Sequence, residues 1–547
     1  MVHSSSLQTI VPETDLLSYV FDSPDYDRNK EIYIDALVEN RKLSANQVLN
    51  LVRQLIAGLK AHGVQKGDCI LVHSFSDIMY PVLYLGIIGA GASFVGSNPS
   101  NTTQELAHLL TLTSARYIIT SAPQLSTLLS IADDLPHPIP RGNIFIFNTP
   151  HNPNIPTNFR SWQTLLEYGE ETWEKFDNGK RSKETIASLF STSGTTGLPK
   201  VATVSHYACI ARCISSHDPR SKPYAISRLL CLPMFHGVAA TASHIDPIRY
   251  GIPTYILPRF SLDPFLSAIQ HYQITETSMV PAVMSMILQN EAGSETEMKR
   301  SLATLRFVRC AGAPLDIGVQ KSFQAWLSPE ARIARAWGMT ELGSLTSFLH
   351  GEVDETGSCG RLLTNMEAMI IDSNGHEIDD EGVSGEVLAR GPSLMNQYLG
   401  NEKATRDMFR NGWLRTGDIA YCKKGRWYVV GRSKDMIKVR GWQVAPAELE
   451  TCLLQHPQVM DVSVIGIKST KQETELPRAY IVLKPSHNYE QQVMEEELKS
   501  FLSSRLAHYK ALEGGVKLVN SLPKTASGKT IKTLLREQAA QELNGNA

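Results

Sequence analysis

Ten consecutive residues, Ser191 to Lys200, carry five hydroxyl side chains, two glycines and one lysine. Backbone at Gly194 and Gly197 can turn tightly and approach a ligand, because neither residue carries a Cβ. Ser191, Thr192, Ser193, Thr195 and Thr196 add hydroxyl donors beside the backbone N–H groups, and Lys200 adds a full positive charge. Such a set makes a receptor for a polyphosphate. The competing reading is a polar surface loop, which Ser/Thr/Gly clusters usually form. A Walker A loop closes on Gly-Lys-Ser/Thr, whereas here Lys200 follows Gly197 by three positions.

His206, Cys209, Cys213 and His217 form a second group with ligand-type side chains. On one helix the outer pair would lie about 16 Å apart, too far to converge on one tetrahedral zinc. They read instead as buried small residues on a helix face. The eight cysteines are scattered without a repeated spacing, which suits free thiols in a reducing compartment. The 53 Lys and Arg nearly cancel the 55 Asp and Glu, which argues against a nucleic-acid binder working through a basic face. The most apolar stretch, Pro81 to Val95, falls short of the ~20 residues of a membrane span and reads as a tightly packed internal helix. No secretory leader and no Ser-Lys-Leu type terminus are seen, so a cytoplasmic location is expected.

The elements that must hold such a loop alternate between strands and helices. Ile186 to Phe190, just before it, is an apolar run that reads as a buried strand. Asn46 to His62 has Leu49, Val52, Leu55 and Leu59 at helical spacing, with Gly63 as a stop. Cys69–Val72, Tyr117–Thr120, Ile144–Phe147, Leu229–Leu232, Thr254–Leu257 and Leu305–Cys310 read as short buried strands, an α/β layer pattern. Several end in turns of small or polar residues, the position at which ligands bind in open α/β sheets. Residues 148–184 look like a surface excursion. From about 358 glycine-punctuated short strands predict an antiparallel subdomain, and from Pro446 a small α+β unit follows. At 547 residues two or more domains are expected.

Six loops occur in order: 191–200, Leu-Pro-Met-Phe-His (232–236), Trp-Gly-Met-Thr-Glu (337–341), Gly-Trp-Leu-Arg-Thr-Gly-Asp (412–418), the run from Gly431 to Glu450, and Pro-Lys-Thr-Ala-Ser-Gly-Lys (523–529). Together they resemble the adenylate-forming superfamily of acyl-CoA ligases, luciferases and adenylation domains, most of all 4-coumarate:CoA ligase-like enzymes. The resemblance spans roughly residues 30–535. It implies a large N-terminal AMP-binding domain, residues 1–431, of layered α/β subdomains plus a small β-rich one. A small mobile α+β domain, 432–547, would follow a hinge near Lys434. It also implies an acid–thiol ligase using ATP, Mg²⁺ and CoA: a carboxylate attacks the α-phosphorus, and CoA then takes the acyl group from the adenylate. A stand-alone adenylating enzyme loading a separate acyl acceptor protein, and a catalytically silent nucleotide-binding protein, are the alternatives.

Roles follow residue by residue from that resemblance. Thr192, Ser193, Gly194, Thr195, Thr196 and Lys200 would hold the β- and γ-phosphates. Thr340 would meet the α-phosphate and Glu341 the Mg²⁺. Ala336 and Trp337 would flank the adenine, and Asp418 would accept the ribose hydroxyls with Arg432 beside it. Lys529 would reach the substrate carboxylate and α-phosphate. Rotation about Lys434 would exchange Lys529 for Lys438, Arg440, Gly441 and Trp442, which with Arg259 would meet CoA. His236 would line the boundary of acyl pocket and thiol tunnel. Gly237, Val238, Ala239, Ala242, Ala311, Gly312 and Ala336 would form a small, uncharged wall that admits an apolar aromatic or medium-chain acid. Arg335 and Ala336 replace the Gln-Gly of 4-coumarate ligases, and Val201 stands where glycine is usual.

Overall fold

The computed structural model describes residues 1–192, 199–290, 293–440, 442–469, 474–484, 490–525 and 529–545. Two large sheets form the body of the N-terminal part. The first has eight strands, in the order Gln397–Tyr398, Lys200–Ser205, Ile186–Thr192, Ser93–Ser97, Cys69–His73, Tyr117–Thr120, Ile144–Ile146 and Arg160–Ser161. It is parallel from Ile186–Thr192 onward, and Lys200–Ser205 folds back antiparallel on that strand. The second has seven strands, parallel from Arg332–Arg335 through Phe307–Cys310, Glu276–Met279, Arg228–Leu230 and Thr254–Ile256 to Glu31–Asp35.

Helices cover these sheets because their apolar residues recur on one face. In Ala45–Ala61 the side chains of Val48, Val52, Leu55 and Leu59 are buried, and a Ser44/Gln47 capping box satisfies the first turn. Tyr80–Gly89 is buried along its whole length. A Cβ at Gly86 would lie 2.5 Å from Leu55 Cδ2, and one at Gly89 2.5 Å from Ile56 Cδ1, so glycine is what lets the two helices touch. The apolar stretch is therefore a ten-residue helix followed by the strand Ser93–Ser97, not one long helix.

An antiparallel sheet of Val2–Ser4, Glu367–Ile371, Gly385–Arg390, Trp413–Lys423, Phe409–Arg410 and Arg426–Arg432 makes the third subdomain. Its sequence-predicted character holds, although the pairing of the N-terminal strand into it was not foreseen. The C-terminal part packs helices Pro446–Leu454 and Gln491–Ser503 on the sheet of Val459–Lys468, Glu475–Leu483 and Val516–Leu518. Residues 148–184 depart from a surface excursion. Trp162, Leu165 and Trp173 are core residues there, and the Leu165 carbonyl lies against Gly58 so closely that a Cβ would overlap it. Polar neighbours hide that burial in the sequence.

Among the described residues no helix is long and apolar enough to cross a membrane. His206 to Ser216 is indeed one helix, with Cys209 and Cys213 buried against Tyr84, Tyr19 and Tyr250.

Candidate active site

Strands Ile186–Thr192 and Lys200–Ser205 form the two arms that flank the Ser/Thr/Gly stretch. Lys200 stands opposite Thr192 in their register. Ser193, Gly194, Thr195 and Thr196 lie outside the described residues. Thr192 is buried, and the Lys200 ammonium sits 4.7 Å from the centre of the Tyr398 ring, a cation–π distance. Val201 now has an account: its side chain is packed into the core with Leu71, Val95 and Leu189, and its carbonyl accepts from Leu399 N at 2.8 Å. A β-branched residue suits that strand position.

Thr340 and Glu341 follow the strand Trp337–Met339 and are both buried. A segment that sequence reasoning passed over, Ser393 to Tyr398, grips them. Met395 N donates to Glu341 O at 2.7 Å, Ser393 Oγ to Leu342 O at 2.8 Å, and the Tyr398 hydroxyl to Glu341 Oε1 at 2.6 Å. From the other side Arg212, buried on His206–Ser216, donates Nη2 to Thr340 O and Nε to Ser393 O, each at 3.0 Å. The sequence carried one signal for Arg212, a lone guanidinium within Ala208-Cys209-Ile210-Ala211-Arg212-Cys213. Tyr398 had none.

Asp418 is buried opposite Arg432 in the strand pair Trp413–Lys423 and Arg426–Arg432, just before a bulge between Ile419 and Ala420. Its Oδ1 lies 2.7 Å from Arg432 Nε, and its Oδ2 accepts from Trp337 Nε1 at 2.7 Å. Burial pushes its carboxyl up from the usual carboxylate range, while Arg432 and the Trp337 N–H work against that.

Lys529 comes from the C-terminal part, yet the charges acting on it are those of Arg432, Asp418 and Glu341. Burial, then the Arg432 charge, holds its ammonium below the ordinary lysine value, with the two carboxylates opposing. His236 caps the short helix Gly237–Ala240, its Nδ1 accepting from Val238 N at 3.2 Å. Burial first, and Lys529 second, lower its imidazole to about 4, so it is neutral at physiological pH. His236, Glu341, Asp418, Arg432 and Lys529 thus converge, from five separate stretches of chain.

Residues 22–399 match the family model described as AMP-binding enzyme, and residues 448–529 match the AMP-binding enzyme C-terminal domain. The chain belongs to the AMP-binding enzyme family. Phenylacetyl-CoA ligase epaB of Aspergillus niger is 40% identical over 538 residues, covering 97% of this chain and 98% of that one. Nicotinic acid-CoA ligase olcI of Penicillium canescens is 36% identical over 548 residues, covering 96% and 98%. An anthranilate CoA ligase, AuaEII, solved with anthranoyl-AMP, superposes with a TM-score of 0.85 at 24% identity, covering 98% of this chain and 99% of that one, which shows the shared fold. The chain is an AMP-forming acid–CoA ligase that uses ATP and CoA.

The remaining sequence-predicted residues of this ligase fall into two groups. Gly237, Val238 and Ala239 lie on Gly237–Ala240, and Ala242 on the wide π-helical turn Thr241–Ile245, whose His244 lies parallel to the rings of Tyr80 and Tyr84. Gly237 rests on the Phe190 ring. Ala311 and Gly312 follow the strand Phe307–Cys310, with Gly312 at φ +94 beside Val280. Ala336 adjoins them, its N donating to Cys310 O at 2.9 Å. Arg335 is engaged with the Gln320 amide at 2.6 Å and the Gly357 carbonyl at 3.3 Å.

The second group, apart from Arg259, stands on or after the turn Ser433–Asp435. Lys434 occupies that turn, and Asp435 beside it pairs with Arg536 at 2.8 Å. Lys438 is exposed, Arg440 is paired with Glu513 at 2.5 Å, and Trp442 is stacked on Tyr509 at 4.8 Å while remaining exposed. Gly441 lies outside the described residues, and Arg259 is exposed after Thr254–Ile256. The charges of Lys529 and Lys434 both act on Asp418, and that of Glu341 acts on Lys529.

Proposed function

We propose that this ligase activates an apolar aromatic or medium-chain carboxylic acid as its adenylate and passes the acyl group to CoA. The observation that carries the reading is the placement of Lys529 among Asp418, Glu341 and His236. In the first half-reaction a carboxylate oxygen attacks the α-phosphorus and pyrophosphate leaves, with no proton to move. The need is for positive charge near the phosphorus and for a fixed line of attack. Lys529 supplies the charge at the α-phosphate and substrate carboxylate, Lys200 holds the β,γ end with the Ser/Thr donors, and Asp418 with Arg432 fixes the ribose. Neutral His236 lines the acyl side without repelling Lys529.

Glu341 suits a magnesium ion. It is a buried carboxylate with one oxygen held by Tyr398 and, among the described residues, no lysine or arginine within ion-pair distance. With the Thr340 hydroxyl it offers hard oxygen donors. Bound there, Mg²⁺ supplies charge neutralisation to the triphosphate.

For the second half-reaction, residues 432–547 act as a mobile unit turning about Lys434. That turn withdraws Lys529 and presents Lys438, Arg440, Gly441 and Trp442, with Arg259, to CoA. The CoA thiol, its proton passing to solvent, then attacks the acyl carbon, the bond from that carbon to the phosphate oxygen breaks, and AMP departs. The small, uncharged side chains at 237–242 and 311–312 support an apolar acid. Relatives named phenylacetyl-CoA ligase and nicotinic acid-CoA ligase put aromatic acids first on the panel. The test is acid-dependent release of pyrophosphate, followed by CoA-dependent release of AMP and detection of the thioester. Adenylate without thioester for every acid would direct the search to a separate acceptor protein, and no adenylate at all would overturn the proposal.

A further inference from the structure

Asp418 sits in a cradle that the nucleotide reading alone does not require. Oδ2 accepts from Trp337 Nε1 at 2.7 Å, and Oδ1 is ion-paired with Arg432, whose Nε lies 2.7 Å away. The Asp418 backbone is fixed as well, its N–H donating to Thr416 Oγ1 at 3.1 Å, and Thr416 Oγ1 donates in turn to Val387 O at 2.7 Å. The indole cannot swing away. It is packed among Leu345, Ala368, Leu414 and Trp427, the last with ring centres 6.3 Å apart. A bulge between Trp337 and Gly338 sets the ring's direction. The N–H comes from the same residue that flanks the adenine in the reading above, so one side chain touches both ends of the nucleoside site.

We infer that Trp337 is a positioning residue for ribose selection: its indole N–H fixes Oδ2 so that Asp418 presents its remaining lone pairs to the two ribose hydroxyls. The inference rests on the reading that Asp418 meets the ribose. An ionised carboxylate has about four acceptor sites. The indole donor on Oδ2 and the Arg432 charge beside Oδ1 orient the group and leave acceptor positions on both oxygens for the vicinal diol. Arg432 alone would anchor only Oδ1, and the carboxylate plane could then rotate about the Cβ–Cγ bond. A phenylalanine ring at 337 would still stack on a base, but it would leave Oδ2 without a donor. The N–H also favours the ionised form of a carboxylate that burial disfavours, so its loss moves the acid limb of nucleotide binding to higher pH.

The experiment uses the full-length ligase with ATP, 2′-deoxy-ATP and 3′-deoxy-ATP, measured by acid-dependent pyrophosphate release. Three variants are compared: Trp337→Phe, Trp337 replaced by β-(3-benzothienyl)alanine, which keeps the bicyclic shape but has sulfur in place of N–H, and Asp418→Ala. The isostere keeps the test open if Trp337→Phe fails to fold. Expected for both Trp337 changes are a rise of about tenfold in KM for ATP, the scale of a hydrogen bond to a charged group, a smaller preference for ATP over the deoxy forms, and an acid limb of 1/KM displaced upward in pH. If Asp418→Ala keeps the full preference for ATP, the ribose reading itself fails. If Asp418→Ala abolishes the preference while the isostere leaves both the preference and the acid limb unchanged, the ribose reading stands and the role given to Trp337 is overturned.

Discussion

The Tyr398 hydroxyl donates to Glu341 Oε1 across 2.6 Å, and the face of the same ring lies 4.7 Å from the Lys200 ammonium. One tyrosine therefore joins the lysine at the end of the Ser/Thr/Gly stretch to the carboxylate proposed to hold magnesium. Burial and the Glu341 charge push its phenol well above the ordinary tyrosine value, so it remains a donor at every working pH.

Removing that donor isolates its contribution. Tyr398→Phe keeps the ring under Lys200 and frees one oxygen of Glu341. Hydrogen bonds to charged groups contribute about 1.5–3 kcal/mol, so kcat/KM for ATP should fall at least tenfold at limiting Mg²⁺ and partly recover as Mg²⁺ is raised. Tyr398→Leu should cost more, because the cation–π contact goes too. Equal activity of Tyr398→Phe and the parent across a magnesium titration would refute the coupling.

Arg212 makes a different kind of contribution. Its guanidinium ties the carbonyl of Thr340 to that of Ser393 from behind the site, and it is 5% exposed. Arg212→Met keeps the length and removes both bonds, leaving two carbonyls without these donors. Pyrophosphate release should drop by more than tenfold, about 1.5 kcal/mol or more for two lost bonds from a charged donor, while CoA thioester formation from added acyl-AMP should be less affected. A loss confined to the second half-reaction would place Arg212 wrongly.

These two residues also mark where sequence reading stops. The strand ends that carry His236 and Ala311 were legible, since short apolar runs ending in small or polar turns announce a parallel sheet. The antiparallel subdomain was legible from its glycines. Tyr398 was not, because its value comes from strand Gln397–Tyr398 pairing with Lys200–Ser205 nearly 200 positions earlier, and nothing local reports that pairing. Val201 stands where glycine is usual, and spacing alone does not reveal that the strand resumes at Lys200 and buries the next side chain. Trp162 and Trp173 were lost among the charges around them.

An ion-pair cluster around Arg41 closes the seam between the two large sheets. Arg41 Nη1 lies 2.8 Å from Asp35 Oδ2 at the end of one sheet's strand, and Arg41 makes two 2.7 Å bonds to Asp77, which follows a strand of the other. His151 joins at 2.7 Å from Asp35. Burial alone would raise the Asp35 carboxyl, but His151 and Arg41 hold it below the usual range. A depressed carboxyl contributes stability above its unfolded-state pKa that is lost as pH falls. Arg41→Met leaves buried Asp77 without its guanidinium and Asp35 with His151 alone, and should cost about 3–5 kcal/mol near pH 7. The deficit should shrink toward pH 4, as the Asp35 carboxyl, no longer held down by Arg41, takes up a proton. Chemical denaturation at the two pH values checks this, and an equal loss at both would contradict it.

The last prediction separates charge from proton transfer at Lys529. Lys529→Ala should abolish acid-dependent pyrophosphate release yet spare thioester formation from added acyl-AMP, because the residue is proposed to leave the site before CoA reacts. Lys529→Arg makes the sharper test. Burial, then Arg432, lowers the Lys529 ammonium from its ordinary value, so the adenylation rate should fall on the alkaline side at a pH below that of a free lysine as the charge is lost. Arginine stays charged throughout, and a slower Lys529→Arg enzyme should lose that alkaline limb. The acid limb should remain, since Asp418, raised by burial, must still ionise. His236, lowered to about 4 by burial and by Lys529, stays neutral over the same range and contributes no limb near neutrality. A His236→Ala profile whose acid limb moves by a full unit would reverse the assignment of that limb to Asp418.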